Sequence, residues 1–453
     1  MLVLSRWTSK IGLGNLWEAI EAEKRTLYWE GVEPLYAMQQ EGKRYISIMF
    51  NVKNLDAFQK VFHNASKILE SILETRTIPV MRPIYFPLPK GHKKDLNRYM
   101  AFLRVAPEKY EAVYSAIQGL CCPKDLHITY ISFSFGDDDI IVSMLAKDRE
   151  TALNFVNDEI GKVDGVNAFD VARVVRYVTL VPKERIREHT AQFLHTAPAG
   201  KKGQRKNPRA YENYARERSP MTVVVRLFAK KSLPRLWEDI ETSLPKLKSK
   251  DLVPLYASQQ EAKDYITIIT EATNFEALND VVINNISTLA DVRKTRTIPL
   301  LEPTYFLLPK GHPRDLERYL ISLRAEPKSY QAIRSKIVCY DYPDNVFLSY
   351  LAYSLGEDDI LLSVLTDSKK SVMAFAKEAF DRMDGVRSYE ISNQLKTKRL
   401  ASETAWKQHH EKFLSSYDRQ HRGDYDTDYD WSNNFYEYAA MSGAFVHELD
   451  MDG

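Results

Sequence analysis

Hydrophobic and polar positions change period along the chain in a recurring order. In the C-terminal half, Met221-Thr-Val-Val-Val-Arg-Leu-Phe is a β-branched run that predicts a strand. Leu233, Leu236, Trp237, Ile240, Leu244 and Leu247 recur at three- and four-residue spacing. That spacing predicts a helix over 233–247, with Pro245 near its end. Val253–Ala257 and Tyr265–Thr270 read as a strand pair, Phe275–Val292 as a second helix, and Thr295–Leu301 as a further strand. The order is β-α-β-β-α-β, the split βαβ of ferredoxin-like modules. It then recurs: Arg318–Arg324 predicts a strand and Pro327–Val338 a helix. A hairpin follows around Gly356-Glu357-Asp358, then a helix over Ser368–Met383 and a closing strand over Gly385–Leu395. A sheet with helices on one face must bury the other, and pairing two modules within one unit does so without a second chain.

A shift of 220 residues lays the first half on the second without a gap. Met1 falls on Met221, Leu16-Trp17-Glu18 on Leu236-Trp237-Glu238, and Phe193-Leu194 on Phe413-Leu414. Identity is densest between residues 75 and 99, where 17 of 25 positions match. Pro34-Leu35-Tyr36-Ala37, Gln39-Gln40-Glu41 and Gly136 with Asp138-Asp139-Ile140 are further shared blocks. The chain is therefore a tandem duplication. The expected fold is α+β: four ferredoxin-like βαββαβ modules forming two pseudo-dimeric α/β units. Expected boundaries are 1–82 for the first module and 83–194 for a crossover and the second. A linker over 195–219 precedes a third module at 220–302 and a crossover with the fourth at 303–414. The linker carries seven Lys/Arg against two Glu, and the tail over 415–453 nine Asp/Glu against two Arg, with five Tyr.

The 453 residues are 44% hydrophobic with a formal net charge of +2. That apolar fraction excludes a wholly disordered or collagenous chain, and the balanced charge argues against a dedicated nucleic-acid binder. No apolar run is long enough to span a membrane, and the start lacks a secretory h-region. Cys121, Cys122 and Cys339 supply neither a disulfide framework nor a Cys-x-x-Cys pair. A soluble, cytoplasmic protein is expected.

Gly356-Glu-Asp-Asp-Ile-Leu-Leu-Ser-Val-Leu, then a helix, then Met383-Asp-Gly-Val, resembles the ligand-binding domain of Lrp/AsnC-type regulators, with Gly136–Ile140 and Asp164-Gly165-Val166 as the matching positions of the first copy. The resemblance covers about 100–180 and 320–400. It implies a non-catalytic ligand-binding or assembly protein whose hairpins line an effector site. No helix-turn-helix precedes the modules, so DNA binding does not carry over. Asp138 and Asp358 stand where the family often has an aromatic residue. The wider dimeric α/β-barrel class is also similar, and chlorite-dismutase-like haem proteins within it place two such modules in one subunit. That likeness implies an enzyme as the alternative.

Candidate chemistry concentrates between the modules of each unit. Arg76, Tyr85, Lys90, His92 and Arg98, with Arg296, Tyr305, Lys310, His312 and Arg318 in the second copy, bring guanidinium, ammonium, imidazole and phenol groups together. Guanidinium forks and lysine suit carboxylate or phosphate, so a small anionic ligand is expected there. The structural alternative is a proline-held crossover with solvated charges. Gly136 with Asp138, and Gly356 with Asp358, predict either an effector-lining loop or a polar turn in which glycine supplies positive φ. No cofactor is expected. For haem, a proximal ligand should recur in both copies, as His92/His312 and His189/His409 do. The acidic tail is a candidate arm for a protein partner. The basic linker predicts weak, salt-sensitive nucleic-acid binding, and self-association is open. Nucleophile and nucleotide motifs are missing.

Overall fold

A computed structural model describes residues 1–194 and 221–415, apart from 56, 59, 60, 62–65, 90–94, 250, 275, 276, 279, 280, 283, 284, 287, 288 and 314. The linker at 195–219 and nearly all of the tail lie outside the described residues, as do eight of the eighteen positions of the helix expected over Phe275–Val292. The chain divides into two compact units, each carrying one closed eight-stranded barrel.

In the first unit the strands are β1 (Leu2–Ser9), β2 (Val32–Gln40), β3 (Tyr45–Val52), β4 (Ile72–Tyr85), β5 (Asn97–Val105), β6 (Leu126–Ser134), β7 (Ile140–Ala146) and β8 (Val166–Thr179). Their helices are α1 (Leu13–Ala22), α2 (Ser66–Ser71), α3 (Tyr110–Gln118), α4 (Arg149–Phe155) and α5 (Lys183–Gln192). The second unit has β9 (Met221–Ala229), β10 (Leu252–Gln260), β11 (Tyr265–Ala272), β12 (Val292–Tyr305), β13 (Glu317–Ala325), β14 (Val346–Ser354), β15 (Ile360–Thr366) and β16 (Val386–Arg399). Its helices are α6 (Leu233–Ser243), α7 (Tyr330–Val338), α8 (Lys369–Phe380) and α9 (Glu403–Lys412). The barrel orders are β1-β3-β2-β8-β5-β7-β6-β4 and β10-β11-β9-β12-β14-β15-β13-β16.

Burial of the bare sheet faces is therefore achieved by more than stacking. The long strands β4 and β8 each pair with both halves of their unit: β4 with β1 and β6, and β8 with β2 and β5. Closure removes the sheet edges and their unpaired backbone groups. β4 continues through Pro79 and Pro83, past residue 82, because a bulge takes up the mismatch. Register shifts between Met81 and Ile84, and Arg82 sits at φ 47°. The same bulge recurs at Glu302, φ 48°. Its charge partner changes hands between the copies: Arg82 pairs with Glu111, whereas Glu302 faces Arg334 at 3.6 Å.

Two apolar layers hold each barrel. Outside the first, Leu16, Trp17 and Ile20 of α1 pack with Val3, Ile46, Ile48 and Phe50. Inside, Leu4, Met38, Met49, Met100 and Ile141 fill the lumen. Helix starts are capped where the sequence offers an oxygen: Asp148, Ser232, Ser368 and Ser402 each accept from the backbone N–H three residues on. The helix expected over 233–247 stops at Ser243, before Pro245.

α5 and α9 have no counterpart among the elements the sequence pattern predicted. Each ends in a short parallel bridge to its barrel, Leu194 to Tyr85 and Leu414 to Tyr305. The signal for α9 was present but sparse: Trp406, His409, His410 and Phe413 lie at i, i+3, i+4 and i+7 in an otherwise polar run.

Candidate functional site

Register decides which side chains enter the second barrel. Along β10, Tyr256, Ser258 and Gln260 alternate inward, as do Thr267 and Ile269 on β11 and Arg318 and Leu320 on β13. On β12 the bulge switches parity, so Leu300 and Tyr305 both face the lumen. β16 slips against β10 between Gln259 and Gln260, which brings Gln394 inward. Trp406 and His410 of α9 also line the resulting cavity, of about 60 Å³.

Two arginines give this chamber its charge. Arg318 donates from Nη1 to Ser349 Oγ at 3.1 Å and Ser363 Oγ at 3.2 Å. Arg226, 7% exposed, pairs with Asp358 at 3.2 Å and lies over the Tyr265 ring. Its Nε, the Thr267 hydroxyl and the Tyr350 hydroxyl are buried without a hydrogen-bond partner among the described residues. Buried polar atoms are normally paired, so these three mark a polar surface suited to an occupant. Burial pushes the Tyr256 phenol up to about 12 and raises those of Tyr305 and Tyr350 well above the usual phenol range.

The first barrel has the same framework and a different filling. Arg98 donates to Ser143 at 3.0 Å, as Arg318 does to Ser363. But Met38 and Tyr177, directly opposite each other on β2 and β8, stand where Ser258 and Thr397 oppose each other on β10 and β16. The Tyr177 ring lies 5.6 Å from the Arg98 guanidinium and 5.4 Å from Tyr36. Val174, Ile186 and Thr190 replace Gln394, Trp406 and His410. The side chains around Arg98 and Arg318 therefore differ in size and polarity between the two units.

Of the residues proposed from sequence, Tyr305 and Arg318 are brought together in the chamber. Tyr85 and Arg98 occupy the equivalent positions of the first barrel. Arg76 pairs with Asp137 and Arg296 with Glu357, while Asp138 pairs with Arg6 at 3.3 Å. Two arginines from neighbouring strands are thus compensated by two carboxylates at each hairpin tip. Gly136 and Gly356 are needed there for close approach and not for positive φ: an added Cβ would meet Ile78 at 3.2 Å or Ile298 at 2.9 Å. Lys310 is exposed, and His312 Nδ1 bonds the Pro313 carbonyl at 2.8 Å, away from the chamber. Lys90 and His92 lie outside the described residues. Arg226, Tyr256, Gln260, Gln394, Trp406 and His410 were not singled out by sequence. Only Tyr256 and Gln260 had a signal, in the shared blocks containing Tyr36 and Gln40.

Of the recurring histidines, His312 bonds through Nδ1 and His92 lies outside the described residues. His409 has both ring nitrogens engaged, Nδ1 with Glu271 at 2.8 Å and Nε2 with Tyr305 at 3.3 Å. His189 is packed against Tyr85 and Phe193. His409 therefore has no ring nitrogen left for an iron. Among the described residues no group of three or more His, Cys, Asp or Glu is placed to hold a metal, and no helix is long and apolar enough to cross a membrane.

No protein family and no curated protein matches the sequence. Among solved structures, the chain is similar to an anthrone oxidase-like protein, at 11% identity over 40% of this chain and 94% of that one, TM-score 0.28. It is also similar to a mutant chlorite dismutase from Candidatus Nitrospira defluvii, at 14% identity over 42% and 95%, TM-score 0.26. A third likeness is to a major regulator of staphylococcal pathogenesis, at 9% identity over 38% and 98%, TM-score 0.24. None of the three carries a function over to this chain.

Buried histidines make an acid-sensitive pair. Burial lowers His410 to about 3 and His189 to about 4. Both folded values lie below the unfolded one of about 6.5, so the folded state binds fewer protons in between. Their stabilisation is complete above about pH 6.5 and is lost as pH falls towards the folded values, at up to about 1.4 kcal/mol per pH unit for each. Glu271 joins later, its stabilisation declining from about 4.5 towards 2. His410→Phe is expected to flatten the dependence of the urea midpoint on pH between about 6.5 and 3; an unchanged slope would place the acid sensitivity elsewhere.

Proposed function

We propose that the second unit is a non-catalytic binding chamber for a small anionic molecule with an aromatic or apolar body, and that the first unit is its closed counterpart. The observation that carries this is the Arg318 guanidinium in the chamber wall with Ser258, whose strand partner is Thr397, where the first barrel has Met38 and Tyr177. Arginine on hydroxyl neighbours suits a carboxylate, sulfonate or phenolate. Tyr256, Tyr305, Trp406 and the aliphatic wall of Ile269, Leu300 and Leu361 suit a ring. In this reading each unit is a fused pair of ferredoxin-like modules, and the Lrp/AsnC resemblance of the hairpins belongs to the ion-paired barrel ends.

Calorimetry with naphthoate tests the reading. Wild-type protein is expected to bind one equivalent, and Arg318→Met to weaken binding by roughly tenfold or more, about 1.4 kcal/mol or beyond. Equal affinity of the variant would remove Arg318 from the site, and no binding of naphthoate or comparable aromatic anions would overturn the chamber.

A further inference from the structure

The chamber wall continues through the buried His409 into a polar chain that ends at the partly exposed Glu271 and Lys412. Tyr305, 3% exposed, sets its hydroxyl 3.3 Å from His409 Nε2, and His409 Nδ1 lies 2.8 Å from a Glu271 carboxylate oxygen. The second Glu271 oxygen accepts from Lys412. A carboxylate only accepts, so it keeps the proton on Nδ1 and turns Nε2 into an acceptor for the Tyr305 hydroxyl. His409 is fully buried at the back of the ring, on α9, the helix whose Trp406 and His410 face the chamber.

The first unit lacks this chain although it keeps the tyrosine and the imidazole. Asn51 stands in place of Glu271 and Gln192 in place of Lys412. Both ring nitrogens of His189 are buried without a hydrogen-bond partner among the described residues. The carboxylate–imidazole–phenol arrangement and the accessible lumen therefore occur in the same unit, by substitutions on different strands.

We propose that Glu271, His409 and Tyr305 form a proton relay through which the chamber accepts a proton from a weakly acidic hydroxyl ligand, a phenol or an enol, and holds the ligand as its anion beside Arg318. This rests on the chamber reading. The ligand O–H bond breaks and its electron pair stays on the ligand oxygen. Its proton passes to Tyr305 Oη while the original Tyr305 proton moves to His409 Nε2. The imidazolium then lies between the tyrosine and the Glu271 carboxylate, and no oxidant or reductant is required. His409 and Lys412 already hold Glu271 at about 2, so it is ionised throughout the working range. The other titratable groups facing Tyr305 are the phenols of Tyr256 and Tyr350, the Arg318 guanidinium and His410. His410, at about 3, is neutral there.

Para-nitrophenol is the probe, since its absorption separates phenol from phenolate, and quenching of tryptophan fluorescence reports occupancy independently. At a pH below the probe's own pKa, wild-type protein is expected to bind it as phenolate. Calorimetry in buffers of different ionisation enthalpy should show no proton released, because His409 keeps it. Glu271→Gln is expected to bind the probe as neutral phenol, roughly tenfold more weakly. Phenolate bound with a full proton released to buffer would overturn the relay in the wild-type protein, whatever the variant does. So would phenolate bound equally by Glu271→Gln. Fluorescence showing no occupancy in wild type would overturn the weak-acid chamber itself, and the relay with it.

Discussion

Replacing Ser258 by Met and Thr397 by Tyr is expected to close the second chamber and reduce naphthoate binding by about a hundredfold or more, some 2.7 kcal/mol. The two positions oppose each other across β10 and β16, and the substituted pair is the one already accommodated between β2 and β8. The backbone is therefore expected to accept it. Apolar filling should leave stability unchanged or raised. The reciprocal exchange, Met38→Ser with Tyr177→Thr, should uncover Arg98 and cost about 2–5 kcal/mol, chiefly from truncating the buried Met38. In the same calorimetric titration it should raise the stoichiometry from one site to two. Unimpaired binding in the filled variant would mean that the Arg318 cavity is not where the anion sits.

Gly385→Ala is expected to be among the most destabilising single substitutions in the second unit. Gly385 lies at φ 88°, and an added Cβ would fall on the Ser329 side chain. The left-handed backbone costs about 1–2 kcal/mol for an L-residue, and overpacking about 1–3 kcal/mol more. Gly165 repeats the arrangement against Lys109 at φ 102°. Gly311 supplies the control: its φ is 80°, but nothing lies within 4 Å of its added Cβ, so Gly311→Ala should lose only the backbone part. Urea unfolding of the two variants separates the contributions. Equal losses at 385 and 311 would mean that the close approach of Ser329 contributes nothing.

The shared positions of the duplication divide according to what they do in the barrels. Arg6/Arg226, Tyr85/Tyr305 and Arg98/Arg318 keep the same places in both lumens. Glu271, Gln394, Trp406 and His410 are found in the second copy alone. Such unpaired differences draw no notice in a search for similarity, yet in space they gather around one chamber and the helix that closes it. The Arg76/Arg296 and Asp138/Asp358 candidates show the reverse. Their residue types suit an anion or cation site, but register sets each against an opposite charge at a hairpin tip, where the groups compensate one another.

The duplication, the order of strands and most helices, and the shared arginine and tyrosine positions were legible in the sequence alone, because period and repetition are local properties of a chain. Barrel closure was not, since it depends on β4 and β8 pairing on both edges. The inward set was hidden for a related reason. Alternation predicts which residues share a face only while register is unbroken, and bulges at Arg82 and Glu302 and slips beside Gln40 and Gln260 reset it. The chamber itself required the tertiary structure: Ser258, Arg318 and Gln394 lie far apart in sequence and meet only across the strands of the closed barrel.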